Sequence, residues 1–310
     1  MFVGNNRALS YLGSVIKNRS FAHAYLFAGP DGVGKRTAAV LFARGLLCEK
    51  ADPIFGGCKE CVMCDLGDLE ISDRFRLLEL RAAPTGGFEK SPSEISIDEV
   101  RNLRSWVARA SMATRVVLIN EAEALSLPAS NAILKILEEP HSSVVFILVS
   151  SAPEILLPTI RSRAVSIRFE LVAESDLKLM QGVIAELISL ARGRPGVMSR
   201  LIQDEKFRKN QQELFQLAAR VYRGGSGAAL SASKEVADDD DAREVLCEHL
   251  MRLFQNEARG ASLADLARYR KRLGDILEAL RRAATTNVNR RLFTDYLLLK
   301  LQSPKVSGIV

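Results

Sequence analysis

Residues 29–37 read Gly-Pro-Asp-Gly-Val-Gly-Lys-Arg-Thr, directly after the apolar run Ala24-Tyr25-Leu26-Phe27-Ala28. Beyond them, Ala38, Leu41, Phe42 and Gly45 recur on one face of a helix predicted over Lys35 to Leu47. A short strand, a glycine-rich turn and a helix start are the parts of a phosphate cradle. Glycines let backbone N–H groups turn inward, and the helix N-terminus and a lysine supply positive charge. The spacing of Gly29, Gly34 and Lys35 is that of a nucleotide-binding loop. Together with Gly32 these residues are the candidate ligands of ATP or ADP phosphates. The position after the lysine, where Ser or Thr would hold Mg²⁺, is Arg36. A guanidinium is a cation that only donates, so it cannot replace that hydroxyl. Thr37 offers a hydroxyl one place late; one residue on a helix turns a side chain by about 100°, so Thr37 serves only if the loop shifts register.

Farther along, Val116-Val117-Leu118-Ile119 is apolar on both faces and ends in Asn120-Glu121. An apolar strand ending in Asp-Glu supports Mg²⁺ with its Asp and polarises the attacking water with its Glu. Here the first carboxylate is an uncharged amide, so two metal-supporting positions differ together. Glu121 remains as the catalytic candidate, its plainer role being a glutamate favoured near a helix start. A third apolar run, Val144 to Val149, leads to Ser150 and Ser151. A hydroxyl there either bonds a phosphate or water, Ser150 being the candidate, or simply ends a strand.

Four of the five cysteines cluster as Cys48, Cys58, Cys61 and Cys64. In a cytosolic chain such a cluster suggests a metal rather than disulfides. Four thiolates at this spacing close a tetrahedral Zn²⁺ site of structural type, with an iron–sulfur cluster as the alternative. Cys247 stands alone and is expected to pack a helix.

The 310 residues suffice for two or three domains, and 47% hydrophobic with 26% charged residues is ordinary for a globular protein. A net charge of +6 permits an acidic partner such as nucleic acid without requiring one. No apolar run is long enough to span a membrane and no secretory signal is visible, so a cytoplasmic chain is expected. Helices are predicted over Asn5 to Lys17, from Ser96 with a capping box to Glu99, and over Ala129 to Glu138 ahead of Pro140. Arg76 to Leu80 and Ala164 to Phe169 read as strands, Pro84 to Pro92 as a loop, and Gly224 to Ser233 as a loop between helices. Strands alternating with helices imply an α/β sheet covered on both faces.

These motifs, in this order, resemble the bacterial clamp-loader AAA+ family. The likeness rests on His23-Ala24-Tyr25-Leu26-Phe27, the cysteine insert, RVVLINEAEAL (115–125), SNAILKILEEP (130–140), VVFILVSS (144–151) and LPTIRSR (157–163), and it runs from residue 4 to about 205. The resemblance implies an α/β AAA+ P-loop domain over residues 1–169 with a zinc insert at 48–64. A small helical lid would follow at 170–205, and an all-helical collar domain for oligomerisation at 206–310. It implies a part in a hetero-oligomeric DNA polymerase III assembly that loads a sliding clamp on primed DNA. The partners would be gamma/tau- and delta-type subunits, the clamp and primer-template DNA. Ser162-Arg163-Ala164 matches a family motif whose arginine reaches a neighbour's ATP, so Arg163 is the candidate finger in trans and Arg161 the fallback. At the place of a further ATP-contacting arginine stands Gly196, with Arg194 and Arg200 nearby. With Arg36 and Asn120, these departures imply a subunit whose own ATP hydrolysis is absent or weak. The end of the chain soon after NVNRRLFTDYLLLKL (287–301) points the same way, since gamma/tau-type chains run on. The alternatives are an ATP-hydrolysing gamma/tau-type motor and a zinc-stabilised nucleic-acid-binding protein unrelated to the clamp. Arg101, Arg104 and Arg109 would line either a DNA-tracking helix or an ordinary solvated face, and Trp106 is expected to pack a core rather than stack a base.

Overall fold

Strands that are apolar on both faces must be covered on both, and a parallel sheet between helix layers does this. The computed structural model describes residues 2–50, 55–65, 68–80, 94–109, 113–140, 143–236, 239–285 and 290–302; the predicted loop Pro84 to Pro92 lies outside them. The chain divides into two compact units, Met1–Ser199 and Arg200–Val310.

The first unit runs α1 (Asn6–Lys17), β1 (Ala24–Ala28), α2 (Lys35–Leu47), α3 (Val62–Asp65), β2 (Phe75–Leu78), α4 (Ile97–Val107), β3 (Arg115–Ile119) and α5 (Leu127–Glu138). It continues with β4 (Val144–Ser150), α6 (Pro158–Arg161), β5 (Val165–Arg168), α7 (Glu174–Leu177) and α8 (Ala185–Ala191), and ends within α9 (Pro195–Gln203). The strands form one sheet in the order β2-β3-β4-β1-β5, every pairing parallel. Alternate residues serve opposite faces. Phe27, Val116, Leu118 and Ile147 join Leu12, Phe42 and Leu47 in one core, while Leu26, Val117, Ile119 and Phe146 join Trp106 and Ile133 in the other. Each such side chain fully buried contributes about 1.5–3 kcal/mol.

Local chemistry fixes the element ends. Ser96 and Glu99 form the predicted capping box: the Ser96 hydroxyl accepts from Glu99 N–H at 3.4 Å, and the Glu99 carboxylate accepts from Ser96 N–H at 2.9 Å. The other end of α4 is held by a residue that sequence reasoning did not single out. Arg115, the buried first residue of β3, donates to the carbonyls of Trp106 at 2.8 Å and Val107 at 3.3 Å. Its guanidinium also stacks 4.7 Å over the Trp106 ring, so Trp106 packs the core as expected. Helix α5 begins two residues before the predicted Ala129, because the Ser126 hydroxyl caps it and Pro128 suits its first turn.

The second unit contains α10 (Glu205–Glu235), α11 (Asp240–Arg259), α12 (Leu263–Thr285) and α13 (Arg290–Lys300), packed around Val221, Leu246, Leu250, Phe254, Ile276 and Leu298. Here one expectation fails. Gly224 to Ser233 is not a loop but the far part of α10, interrupted only at Gly225 (φ 70°, ψ −169°). Composition misled because alanine, the best helix former, shares this stretch with the glycines. Ala229, Ala232 and Ser233 turn inward at helical spacing and are buried. Cys247 packs against this core, and burial pushes its thiol up to about 12.

Candidate functional site

The registers Ala28 to Ser150 and Ala28 to Arg168 bring the C-terminal ends of β4, β1 and β5 side by side. The glycine loop emerges there, at the edge of a parallel sheet where ligands bind. Two of its glycines are required by geometry. Gly29 has φ 152°, and a Cβ there would overlap the Phe169 carbonyl oxygen. Gly34 sits left-handed, φ 96°, as the residue that opens α2. Lys35 is buried: its Nζ donates to the carbonyls of Gly29 at 2.6 Å and Pro30 at 2.7 Å and to Ser151 Oγ at 3.2 Å, and it lies 3.6 Å from Asp31. Burial pushes its pKa down, and the Asp31 carboxylate works against that shift.

A cavity of 250 Å³ opens beside the loop, lined among others by Gly32, Gly34, Lys35, Thr37, Glu121 and Ser151. Five of the residues expected to bind or act on nucleotide therefore meet at one place. Ser150 does not join them: it is buried, and its hydroxyl has no hydrogen-bond partner. Side chains alternate along a strand, so the adjacent Ser151 is the serine on the cavity, where its hydroxyl also donates to Asp31.

The two altered positions are tied to a residue not anticipated from sequence. Arg36 donates through Nε and Nη2, each at 3.2 Å, to the carboxylate of Glu79 just beyond β2, and Asn120 Nδ2 reaches the same carboxylate at 3.5 Å. Glu121 follows in a left-handed conformation (φ 53°, ψ 52°). Partial burial, then Glu123, Asp31 and Glu79, hold its pKa above the ordinary value, against a smaller opposing pull from Arg36. Glu123, also not anticipated, accepts from Ser151 N–H at 2.9 Å. From α9, Gly196 N–H donates to the Gly32 carbonyl at 2.8 Å, and a Cβ on Gly196 would lie 3.1 Å from that oxygen. The backbone and lysine thus suit phosphate, whereas Arg36 cannot ligate its metal ion and Asn120 brings no charge to it.

The cysteine site lies at the other end of α2. Cys48 closes that helix, and its sulfur and those of Cys58, Cys61 and Cys64 all lie within 4.8 Å of one another. Tetrahedral Zn–S bonds of about 2.3 Å place sulfurs about 3.8 Å apart, so the four fit one Zn²⁺. The turn is shaped around the sulfurs: a Cβ on left-handed Gly57 would lie 2.5 Å from Cys64 Sγ, and Cys61 N–H donates to Cys58 Sγ at 3.3 Å. Backbone N–H groups, that of Glu60 foremost, lower the Cys58 thiol to about 6, whereas burial pushes the Cys64 thiol up to about 12.

Arg163 lies apart from the cavity lining, between α6 and β5, where it bonds the Thr159 carbonyl and the Glu138 carboxylate. Of the arginines considered for DNA, Arg101 pairs with Asp98 at 2.9 Å, and Arg104 lines a cleft of 330 Å³ with Lys135 and Glu138. Arg109 directs its carbonyl to Arg115. Among the described residues no helix is long and apolar enough to cross a membrane.

The sheet order, with the glycine loop after β1, the Asn-Glu pair after β3 and the two serines at the end of β4, defines an AAA+ P-loop fold with a four-cysteine cluster inserted after α2. A gamma subunit-related protein of DNA polymerase III from Thermotoga maritima shares the fold, with a TM-score of 0.53 at 17% identity, over 95% of this chain and 98% of that one. The family described as DNA polymerase III, delta subunit, matches residues 4–173, and the chain belongs to it, within the clamp-loader AAA+ proteins. DNA polymerase III subunit delta' of Pseudomonas aeruginosa is 35% identical over 191 residues, covering 58% of this chain and 56% of that protein. Subunit tau of Bacillus subtilis is 34% identical over 196 residues, covering 62% of this chain and 32% of that protein. The chain thus spans between about a third and just over half of the length of these curated relatives.

Proposed function

We propose that the chain is a clamp-loader subunit of DNA polymerase III, of the delta-prime type. It would turn over little or no ATP itself and offer Arg163 to ATP held by a neighbouring gamma/tau-type subunit. In that role it acts with gamma/tau- and delta-type subunits to place the sliding clamp on primer-template DNA in the cytoplasm. Residues 170–205 serve as lid and 206–310 as collar, and Zn²⁺ on the four cysteines is structural. Identity to relatives does not separate this reading from a motor subunit, since delta' and tau match almost equally well. The observation that carries it is that both metal-supporting positions, Arg36 and Asn120, have neither hydroxyl nor carboxylate and are tied instead to the Glu79 side chain.

In the neighbour's site a water oxygen bonds to the γ-phosphorus as the bond to the β–γ bridging oxygen breaks. ADP and inorganic phosphate leave, and the water's proton passes to that site's base or to solvent. A fixed guanidinium stabilises the charge that spreads over the phosphoryl oxygens. The rival reading, an ATP-hydrolysing motor, is favoured by the retained glycine conformations and Lys35. Turnover of MgATP by the isolated chain, and by the DNA-stimulated assembly with and without Arg163→Ala, decides between them. The expected result is a silent isolated chain and an assembly slowed at least about tenfold by Arg163→Ala. Turnover by the isolated chain that depends on Mg²⁺ overturns the reading.

A further inference from the structure

The motif SNAILKILEEP carries a residue that the reading above leaves without a task. Glu138, the last residue of α5, places Oε1 2.9 Å from Nη2 of Arg163. The opposite arm of the same guanidinium, Nη1, donates to the Thr159 carbonyl in α6 at 3.1 Å. Two anchors from two separate helices thus bracket one planar group. An arginine side chain free in solvent samples many rotamers, and a group that must meet a transferring phosphoryl has to be held within a fraction of an ångström. Thr159 offers only a backbone carbonyl, one turn before Arg163, which cannot by itself fix the direction of so long a side chain. Glu138 supplies the second point that does. The pair is also only half-buried, 35% exposed at Arg163 and 43% at Glu138, so it is weak enough for the guanidinium to be shared with a more highly charged phosphate.

We propose that Glu138 is a positioning residue: it aims the Arg163 guanidinium toward the neighbouring subunit's γ-phosphate through the Glu138–Arg163–Thr159 bracket. The inference rests on the reading of Arg163 as an arginine that acts in trans. Lys135, one turn earlier on α5, borders the same cleft as Glu138, so a change at 138 also alters a local charge balance, and the test has to separate that effect from aim.

The test uses the reconstituted clamp-loader assembly with MgATP and primed DNA, carrying Glu138→Ala, Glu138→Gln, Arg163→Ala or the Glu138→Ala/Arg163→Ala pair, with assembly checked by co-elution. Glu138→Ala is expected to lower kcat by roughly three- to tenfold and leave KM within about twofold. Glu138→Gln, which keeps an acceptor oxygen, should fall between it and wild type, and it gives the same test if the alanine variant does not assemble. In the Arg163→Ala background Glu138→Ala should add nothing, since an aiming residue has then lost its target. A wild-type kcat for Glu138→Ala beside a depressed Arg163→Ala overturns the inference and leaves the arginine reading standing. A full additional loss in the double variant also overturns it, because Glu138 would then act elsewhere. An assembly indifferent to Arg163→Ala overturns the arginine reading itself, and the inference with it.

Discussion

Helix α2 begins at a glycine loop and ends at the first of four cysteines, and its two ends have kept different things. At the cysteine end the whole donor set for a metal is present, with its sulfurs gathered and its turn shaped around them. At the loop end the backbone of a phosphate site is present, but the two positions expected to hold its metal carry Arg36 and Asn120. A tetrahedral site fails if one ligand is lost, so its residues stand together. The loop's glycines answer to packing as well as to ligand: Gly29 cannot carry a side chain beside Phe169, whatever the cavity holds. Arg36 is 52% exposed and changes little of the fold, so chemistry could leave that position while the architecture stayed.

The contrast breaks most visibly at the cysteines. Cys61→Ser should release one Zn²⁺ per chain, counted by atomic absorption, and lower stability by on the order of 3 kcal/mol, roughly 6–12 °C in Tm. A variant that melts like wild type would show that this end of α2 is no more committed than the other. A smaller loss is expected from Gly29→Ala, about 2–3 kcal/mol, because it forces a side chain into φ 152° and against a carbonyl. Thermal melts with and without MgATP check it. The loss should be the same in both, whereas a loss confined to the nucleotide-bound chain would mean that ligand, not packing, holds the glycine.

The smallest effect concerns Glu121. Its folded pKa lies above the ordinary 4.5, so across that window the folded chain binds more protons than the unfolded one, and stability falls as pH rises through it. Above the window the ionised carboxylate is a full penalty; below 4.5 both states are protonated and the penalty disappears. Glu121→Gln should therefore stabilise at neutral pH by less than about 1 kcal/mol, because the partly buried carboxylate keeps most of its access to water, and by nothing near pH 4. Urea melts at pH 7.5 and pH 4 measure this, and a destabilised variant at pH 7.5 would refute the account of a carboxylate disfavoured by partial burial and acidic neighbours.

What sequence could supply here was whatever is written locally. Paired faces of apolar strands, the Ser96–Glu99 box, the glycine loop and the cysteine spacing each lie within a few residues, and each folds as read or within two residues of it. What it could not supply is contact between distant segments. Glu79 meets Arg36 across 43 residues of chain, Glu123 meets Ser151 across 28, and Glu138 meets Arg163 across 25. None belongs to a pattern that names its partner. Two readings turned on finer geometry. Ser150 and Ser151 differ only in which side of a strand they occupy, and strand register relative to the loop is not visible in two adjacent serines. At Gly224 to Ser233 the glycines argued for a loop and the alanines for a helix, and tertiary burial of Ala229 and Ala232 favoured the alanines.

Gly225 has a mechanical consequence. Its φ and ψ fall where only glycine settles comfortably. The segment beyond it, Ser226 to Glu235, is about 15 Å long, so a turn of about 10° at that one residue would sweep its tip through roughly 3 Å. Helix α10 is therefore two rods sharing a joint, and the joint's angle decides where Ala229, Ala232 and Ser233 enter the core. The bearing of that part of the second unit depends on a residue with no side chain at all.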